Sequence, residues 1–228
     1  MTLVLLDIDC DWSDEALAAA LPGLPISVQE RAGRYLVAGA RRNLISTQTC
    51  LRQVIRFLGY SEALLTNCPN GRPWLDGAPL CFNLSHSESR AVLGLTLDPR
   101  LKQCLGVDLE WMNRRVERRA LAGRFFTKNE SGMVSEDPGT LQFFRIWTRK
   151  EAVLKSNGVG LRVPLNSFEV LHDEVAQEVS GRPLFLSTNR RHDEYLASWA
   201  VPYECRDMEV VWVEHGGEDW LEKVARAL

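Results

Sequence analysis

Phe143 to Lys155, FFRIWTRKEAVLK, constrains this chain most when it is read together with Gly106 to Glu110, GVDLE. In a helix of 3.6 residues per turn, Trp147, Lys150, Glu151 and Lys155 recur at i, i+3, i+4 and i+8. That spacing predicts one face carrying an aromatic ring, two ammonium groups and a carboxylate. In a strand, side chains alternate, so Asp108 and Glu110 share a face while Val107 and Leu109 point into the opposite layer. Two adjacent carboxylates repel, and a hard divalent cation with oxygen ligands relieves the repulsion at least cost. Glu151 would add a third carboxylate, and Lys155 could hold a phosphate bound to the same cation. The two stretches together predict a magnesium–phosphate site with Asp108, Glu110 and Glu151 as metal ligands.

Both stretches resemble the signature motifs of the 4'-phosphopantetheinyl transferases, GxDxE followed by WxxKEAxxK. The segments GRPW at Gly71 to Trp74, FNLSHS at Phe82 to Ser87, FFTKNE at Phe125 to Glu130 and the glycines around Gly158 and Gly160 resemble further segments of that family. The length is that of its larger monomeric, Sfp-type class. The resemblance implies an α+β fold: a pseudo-twofold pair of similar halves, each a small antiparallel sheet packed with a long helix, with coenzyme A in the cleft between them. It also implies Mg-dependent transfer of 4'-phosphopantetheine from coenzyme A to a serine of an apo acyl or peptidyl carrier protein, releasing adenosine 3',5'-bisphosphate.

Carried over position by position, the resemblance gives Arg72, Ser85 and His86 as contacts to coenzyme A, with Arg31 and Arg42 at its 3'-phosphate and adenosine end. The family's usual arginine falls on Asn43, so Arg42 or Arg41 would have to replace it. Lys155, with Lys150 beside it, would stabilise the transferring phosphoryl oxygens. Glu130 or Glu151 would take the serine proton. Thr127 with Glu130 three residues on also makes a capping box, which accounts for the same residues structurally.

The rest of the chain fits this frame. At 228 residues it can bury a proper core as one large or two small domains, and the halves divide as 1–104 and 105–228. A net charge of −3 argues against nucleic acid as an overall partner, so any anion site must be local. Against that acidic background, Arg114, Arg115, Arg118 and Arg119 form a basic cluster suited either to docking an acidic carrier or to a solvated helix face. The six cysteines show no zinc or disulfide spacing and read as reduced thiols of a cytoplasmic protein. The opening run MTLVLLDIDCDW meets Asp7 and Asp9 too early for a signal peptide or a membrane span and reads as a strand.

Ser13 or Asp14 should cap a short helix, and Ser27 to Gly59 should form two helices divided near Ala38 to Ala40, with a stripe of Leu44, Ile45, Leu51, Val54, Ile55 and Leu58. Asn70–Gly71 should turn, and 168–171, 184–186, 194–201 and 208–213 should form antiparallel strands before a last helix from about Gly217. Two competing readings remain on the residues alone: a Mg-dependent hydrolase of nucleotide diphosphates, and a non-catalytic module that binds coenzyme A or a carrier.

Overall fold

The computed structural model describes residues 1–61, 64–68, 72–102, 104–158, 162–175 and 181–228. The turn expected at Asn70–Gly71 and the loop glycine Gly160 lie outside these residues. Strand β1 (Thr2–Asp9) leads to α1 (Asp14–Ala20), α2 (Ile26–Arg34) and α3 (Ala38–Phe57). Then come β2 (Leu64–Asn67), β3 (Pro73–Asp76), β4 (Cys81–Ser87) and β5 (Arg90–Thr96). The second half runs β6 (Gly106–Trp111), α4 (Arg118–Phe125), α5 (Lys128–Glu136), α6 (Leu141–Asn157), β7 (Glu174–Val175), β8 (Leu184–Arg191), β9 (Tyr195–Pro202), β10 (Glu209–Glu214) and α7 (Trp220–Ala227).

Two four-stranded sheets result, in the orders β10-β1-β5-β4 and β6-β9-β8-β7. Within them β1-β5-β4 and β6-β9-β8 are antiparallel triplets of the same order, one backed by the long helix α3 and the other by α6. This is the α+β architecture expected from the sequence. Alternation in β1 sends Val4, Leu6 and Ile8 toward α3, where Leu51 and Val54 wait, and Leu3 and Leu5 toward the other sheet. Val107 and Leu109 of β6 meet that second face, together with Trp199 and Val201 of β9. The layers are therefore helix, sheet, sheet, helix, and β6 turns Asp108 and Glu110 toward α6.

Three local expectations change. The break between α2 and α3 comes at 35–37, slightly before the alanines. Residues 168–171 form no strand, and the short strand there is Glu174–Val175. Most consequentially, β10 pairs in parallel with β1, Val4 opposite Val211, and Trp220 and Val224 of α7 join the core beneath α3. The tail of the chain thus completes the first sheet.

The distance between α6 and β6 is set by Gly106. A Cβ at that position would lie 1.9 Å from the Ala152 carbonyl oxygen and 2.6 Å from the Ser156 nitrogen, both helix backbone. No rotamer change can relieve a backbone clash, so only glycine lets the strand start against the helix. Gly106→Ala should therefore cost about 3 kcal/mol, the upper end of overpacking. In a chain of this length that is a fall of roughly 10 °C in melting temperature, measurable by circular dichroism.

Candidate active site at the seam between the sheets

The edge strands β4 and β6 meet through side chains. Asn83, Ser85 and Ser87 alternate along one face of β4 and all three reach β6. Asn83 Oδ1 accepts from the Val107 amide at 2.8 Å, Ser85 Oγ donates to Asp108 Oδ1 at 2.8 Å, and Ser87 Oγ donates to Glu110 Oε2 at 3.0 Å. Ser87 Oγ also accepts from the Trp111 amide at 3.0 Å. The seam thereby orients both carboxylates of GVDLE. Sequence reading picked out Ser85 but missed Asn83 and Ser87, although the period-two polar pattern of FNLSHS was the available signal.

From α6, Lys155 Nζ donates to Asp108 Oδ1 at 2.6 Å and to Ser85 Oγ at 2.8 Å. Asp108 is 4 % exposed, and its other oxygen, Oδ2, is buried without a partner. A buried carboxylate oxygen left unpaired is costly, and such an atom marks a place for a missing partner. Glu110 lies next to it, its pKa pushed up to about 7 by burial and then by the charge of Asp108. Glu151 is raised as well, by burial first and Asp108 second. Three carboxylates crowd one ammonium, and two of them are held toward their neutral forms.

A hard divalent cation suits this donor set: it would supply the orphaned Oδ2 with a partner and offset the excess negative charge. Asp108, Glu110 and Glu151 are the residues that would hold it. The tightest trio of possible ligands among the described residues lies elsewhere, in Asp7, His192 and Glu214, whose ligand atoms fall within 4.8 Å of one another. There, however, Arg90 and Arg191 already pair with Asp7 at 3.0 and 3.2 Å, and Arg191 pairs with Glu214. Two guanidinium groups balance two carboxylates, so that cluster ties the β8–β9 hairpin to the first sheet and has no charge left for a metal.

Beside the seam opens a cleft of about 470 Å³ lined by Arg31, Tyr35, Thr47, Asn83, His86, Glu151 and Lys155 among others. That volume is in the range of small-molecule and cofactor sites. His86 stands at its wall, and burial, then Lys155 and Arg31, hold its pKa below the ordinary value. Its Nδ1 lies 3.4 Å from Asn43 Nδ2, which also donates to the Glu88 carbonyl at 2.8 Å. The wall is cationic near Arg31 and Lys155, as a phosphate site requires.

Four expected contacts are placed differently. Lys150 is fully buried and spends its ammonium on the carbonyls of Leu165 at 2.7 Å and Phe168 at 2.6 Å and on Glu130 at 2.8 Å. Three donors are thus used, with none left for a phosphate. Glu130 is equally buried, accepting from the Thr127 amide in the capping box and from the Val170 amide, each at 2.9 Å. A carboxylate so enclosed cannot reach a serine, and its part is structural. Arg42 pairs with Asp11 and lines a separate hollow of about 350 Å³ with Trp111 and Tyr195, away from the main cleft. Arg72 reaches the cleft wall, but its terminal nitrogens donate to four backbone carbonyls. Trp147 packs against Phe125, Phe126 and Phe143, as a core residue.

Residues 104–203, somewhat under half of the chain, match the model of the 4'-phosphopantetheinyl transferase superfamily. The chain is 34% identical over 140 residues to the 4'-phosphopantetheinyl transferase ffp of Bacillus subtilis, covering 58% of this chain and 55% of that protein. It is 30% identical over 141 residues to the 4'-phosphopantetheinyl transferase HetI of a Nostoc species, covering 58% of each chain. To the 4'-phosphopantetheinyl transferase Sfp of Bacillus subtilis it is 33% identical over 109 residues, 46% of each. The aligned part thus spans about half the length of these curated relatives.

Proposed function

We propose that this protein transfers the 4'-phosphopantetheine group of coenzyme A to a serine hydroxyl of an apo acyl or peptidyl carrier protein, with Mg as the metal and adenosine 3',5'-bisphosphate as the product. The observation that carries the reading is Asp108, paired through one oxygen with Lys155 and Ser85 while the other oxygen is buried and unpartnered beside a cationic cleft. A divalent cation bound by Asp108, Glu110 and Glu151 would neutralise the diphosphate and polarise the phosphorus under attack. Lys155 holds a phosphoryl oxygen, Arg31 and His86 bind the anionic end of the cofactor, and Ser85 keeps Asp108 and Lys155 in register. Of the two carboxylates considered for the serine proton, Glu130 is enclosed whereas Glu151 lines the cleft, so Glu151 would take the proton through an oxygen that the cation does not engage.

The carrier would approach along the arginines that follow β6. Arg114, Arg115 and Arg118 line an open groove of about 570 Å³ with Met112, Asn113 and Thr140, and Arg119 is exposed beside it. Acyl carriers are acidic, so an arginine-rich groove next to the metal ligands steers them by charge. Arg115→Glu with Arg119→Glu should raise the Michaelis constant for carrier about tenfold and leave that for coenzyme A unchanged. Equal values for both substrates before and after reversal would remove this docking face. Six unpaired thiols fit a reducing compartment such as the cytoplasm, and no helix among the described residues is long and apolar enough to cross a membrane.

Intact-mass spectrometry of apo acyl and apo peptidyl carrier proteins, each incubated with the protein, coenzyme A and Mg, tests the reading. The expected result is a gain of one phosphopantetheine that disappears with EDTA. Release of adenosine bisphosphate without carrier would replace it with a hydrolase, and bound but unreacted coenzyme A with a non-catalytic module.

A further inference from the structure

Arg72 is 8 % exposed, and its side chain gathers three segments of chain. One terminal nitrogen donates to the carbonyls of Lys155 at 3.1 Å and Ser156 at 2.9 Å, in the last turn of α6. The other donates to Leu105 at 2.6 Å, just before β6, and more weakly to Phe82 in β4 at 3.4 Å. The last four carbonyls of a helix have no partner within it, and a cation there also meets the negative end of the helix dipole. Gly158 then ends the helix in the left-handed region, with φ 65°. These three segments also carry the hydrogen-bonded trio of the site: Lys155 on α6, Asp108 on β6 and Ser85 on β4.

Lys155 is therefore gripped twice. Its ammonium is held by Asp108 and Ser85, and its own backbone carbonyl is held by Arg72. Gly106 brings the helix backbone into contact with the start of β6, and Arg72 ties the same turn of helix to the carbonyl one residue before it. The guanidinium is thus a backbone link between the end of α6 and β4, beside the side-chain link from Lys155 to Ser85.

Building on the transferase reading above, we propose that Arg72 is a positioning residue that sets Lys155 against Asp108 and Ser85 through the end of α6. On this assignment it is not the phosphate contact that its place after Gly71 suggests. The planar fork of arginine serves this use, since several fixed donors can reach carbonyls of three segments at once. A lysine keeps the charge but offers one compact ammonium, which cannot span that set. The two roles therefore predict opposite behaviour for the conservative variant.

The experiment compares Arg72→Lys and Arg72→Gln, each in the wild-type and the Lys155→Ala background, at a temperature where melting curves show all four proteins folded. As a positioning residue, Arg72 gives both variants alike: turnover falls about tenfold or more, because small misplacements of a reacting group cost that much. The Michaelis constant for coenzyme A stays within twofold. In the Lys155→Ala background neither variant lowers turnover further, the signature of two residues acting as a unit. A tenfold rise in that constant for Arg72→Gln, restored by Arg72→Lys, would overturn the proposal in favour of a phosphate contact. Losses that simply multiply with Lys155→Ala would overturn it in favour of general destabilisation.

A readout independent of activity separates this proposal from the transferase reading. Labelling of Lys155 by an amine-reactive ester, followed by peptide mass spectrometry with the exposed Lys223 as internal reference, should rise about threefold in both Arg72 variants. Unchanged labelling would overturn the positioning role. If the labelling responds while the wild-type protein modifies no carrier, the positioning role stands and the transferase reading falls.

Discussion

Asp108→Asn should lower the rate of carrier modification by a hundredfold or more while the protein stays folded. The substitution keeps the shape of the side chain and its contact with Ser85, so the seam between β4 and β6 survives. It removes the charge that holds Lys155 at 2.6 Å and converts the unpartnered oxygen into a group that a hard cation binds poorly. Lost transition-state electrostatics of this kind cost on the order of 10² to 10³ in turnover. A second measurement uses no turnover at all. Mg with coenzyme A should raise the melting temperature of the wild-type protein, since a ligand that binds only the folded state stabilises it, and should fail to do so for the variant. A variant within threefold of wild type in rate, and equally stabilised by Mg and coenzyme A, would mean that Asp108 holds no metal.

Glu130→Ala should be the most destabilising single change. Glu130 and Lys150 form an ion pair with both side chains fully buried, and removing one partner of such a pair leaves an uncompensated charge, at a cost of about 3–5 kcal/mol. Burial already pulls the Lys150 pKa down against the charge of Glu130, so the widowed lysine should lose its proton and keep only part of its bonding. In a chain of this size the loss corresponds to roughly 10–15 °C in melting temperature, with activity per folded molecule far less affected. Apolar replacement of both residues should not recover the loss. The pair satisfies the amides of Thr127 and Val170 and the carbonyls of Leu165 and Phe168, and these would be left buried and unmet. A Glu130 variant that melts like wild type yet has lost its turnover would reverse the structural assignment and return Glu130 to the reaction.

The contrast between these two carboxylates shows how far sequence reading reaches. Asp108 and Glu110 were legible because a strand has period two: once Val107 and Leu109 belong to the core, their neighbours must point the other way. The cap at Thr127 was legible for the same reason, since it is a bond between residues three apart. The core stripe of α3 followed from its helical period: Leu44, Ile45, Leu51, Val54 and Ile55 are buried, and Leu58, just past the last residue of the helix, is half-buried. Each of these depends on neighbours within a turn or two of chain, and there the local geometry leaves few choices.

What the linear pattern left open was which side of a helix meets which neighbour. Trp147, Lys150, Glu151 and Lys155 fall on a broad arc of α6, but Lys150 and Lys155, five residues apart, are about 140° apart around the axis. A helix packed on two sides splits such an arc. Lys155 went to β6 and the cleft, whereas Lys150 went to the loop at 165–168 and to Glu130. Arg72 likewise reads as a phosphate ligand until four carbonyls from three segments converge on it. The return of β10 and α7 to the first sheet spans about two hundred residues of separation, beyond any local signal. Most of the elements, their inward faces and the shared face of Asp108 and Glu110 follow from periodicity and side-chain type. Only the tertiary structure decided which charges face the cleft and which face each other, because a buried charge takes whatever partner the packing of distant segments brings within reach.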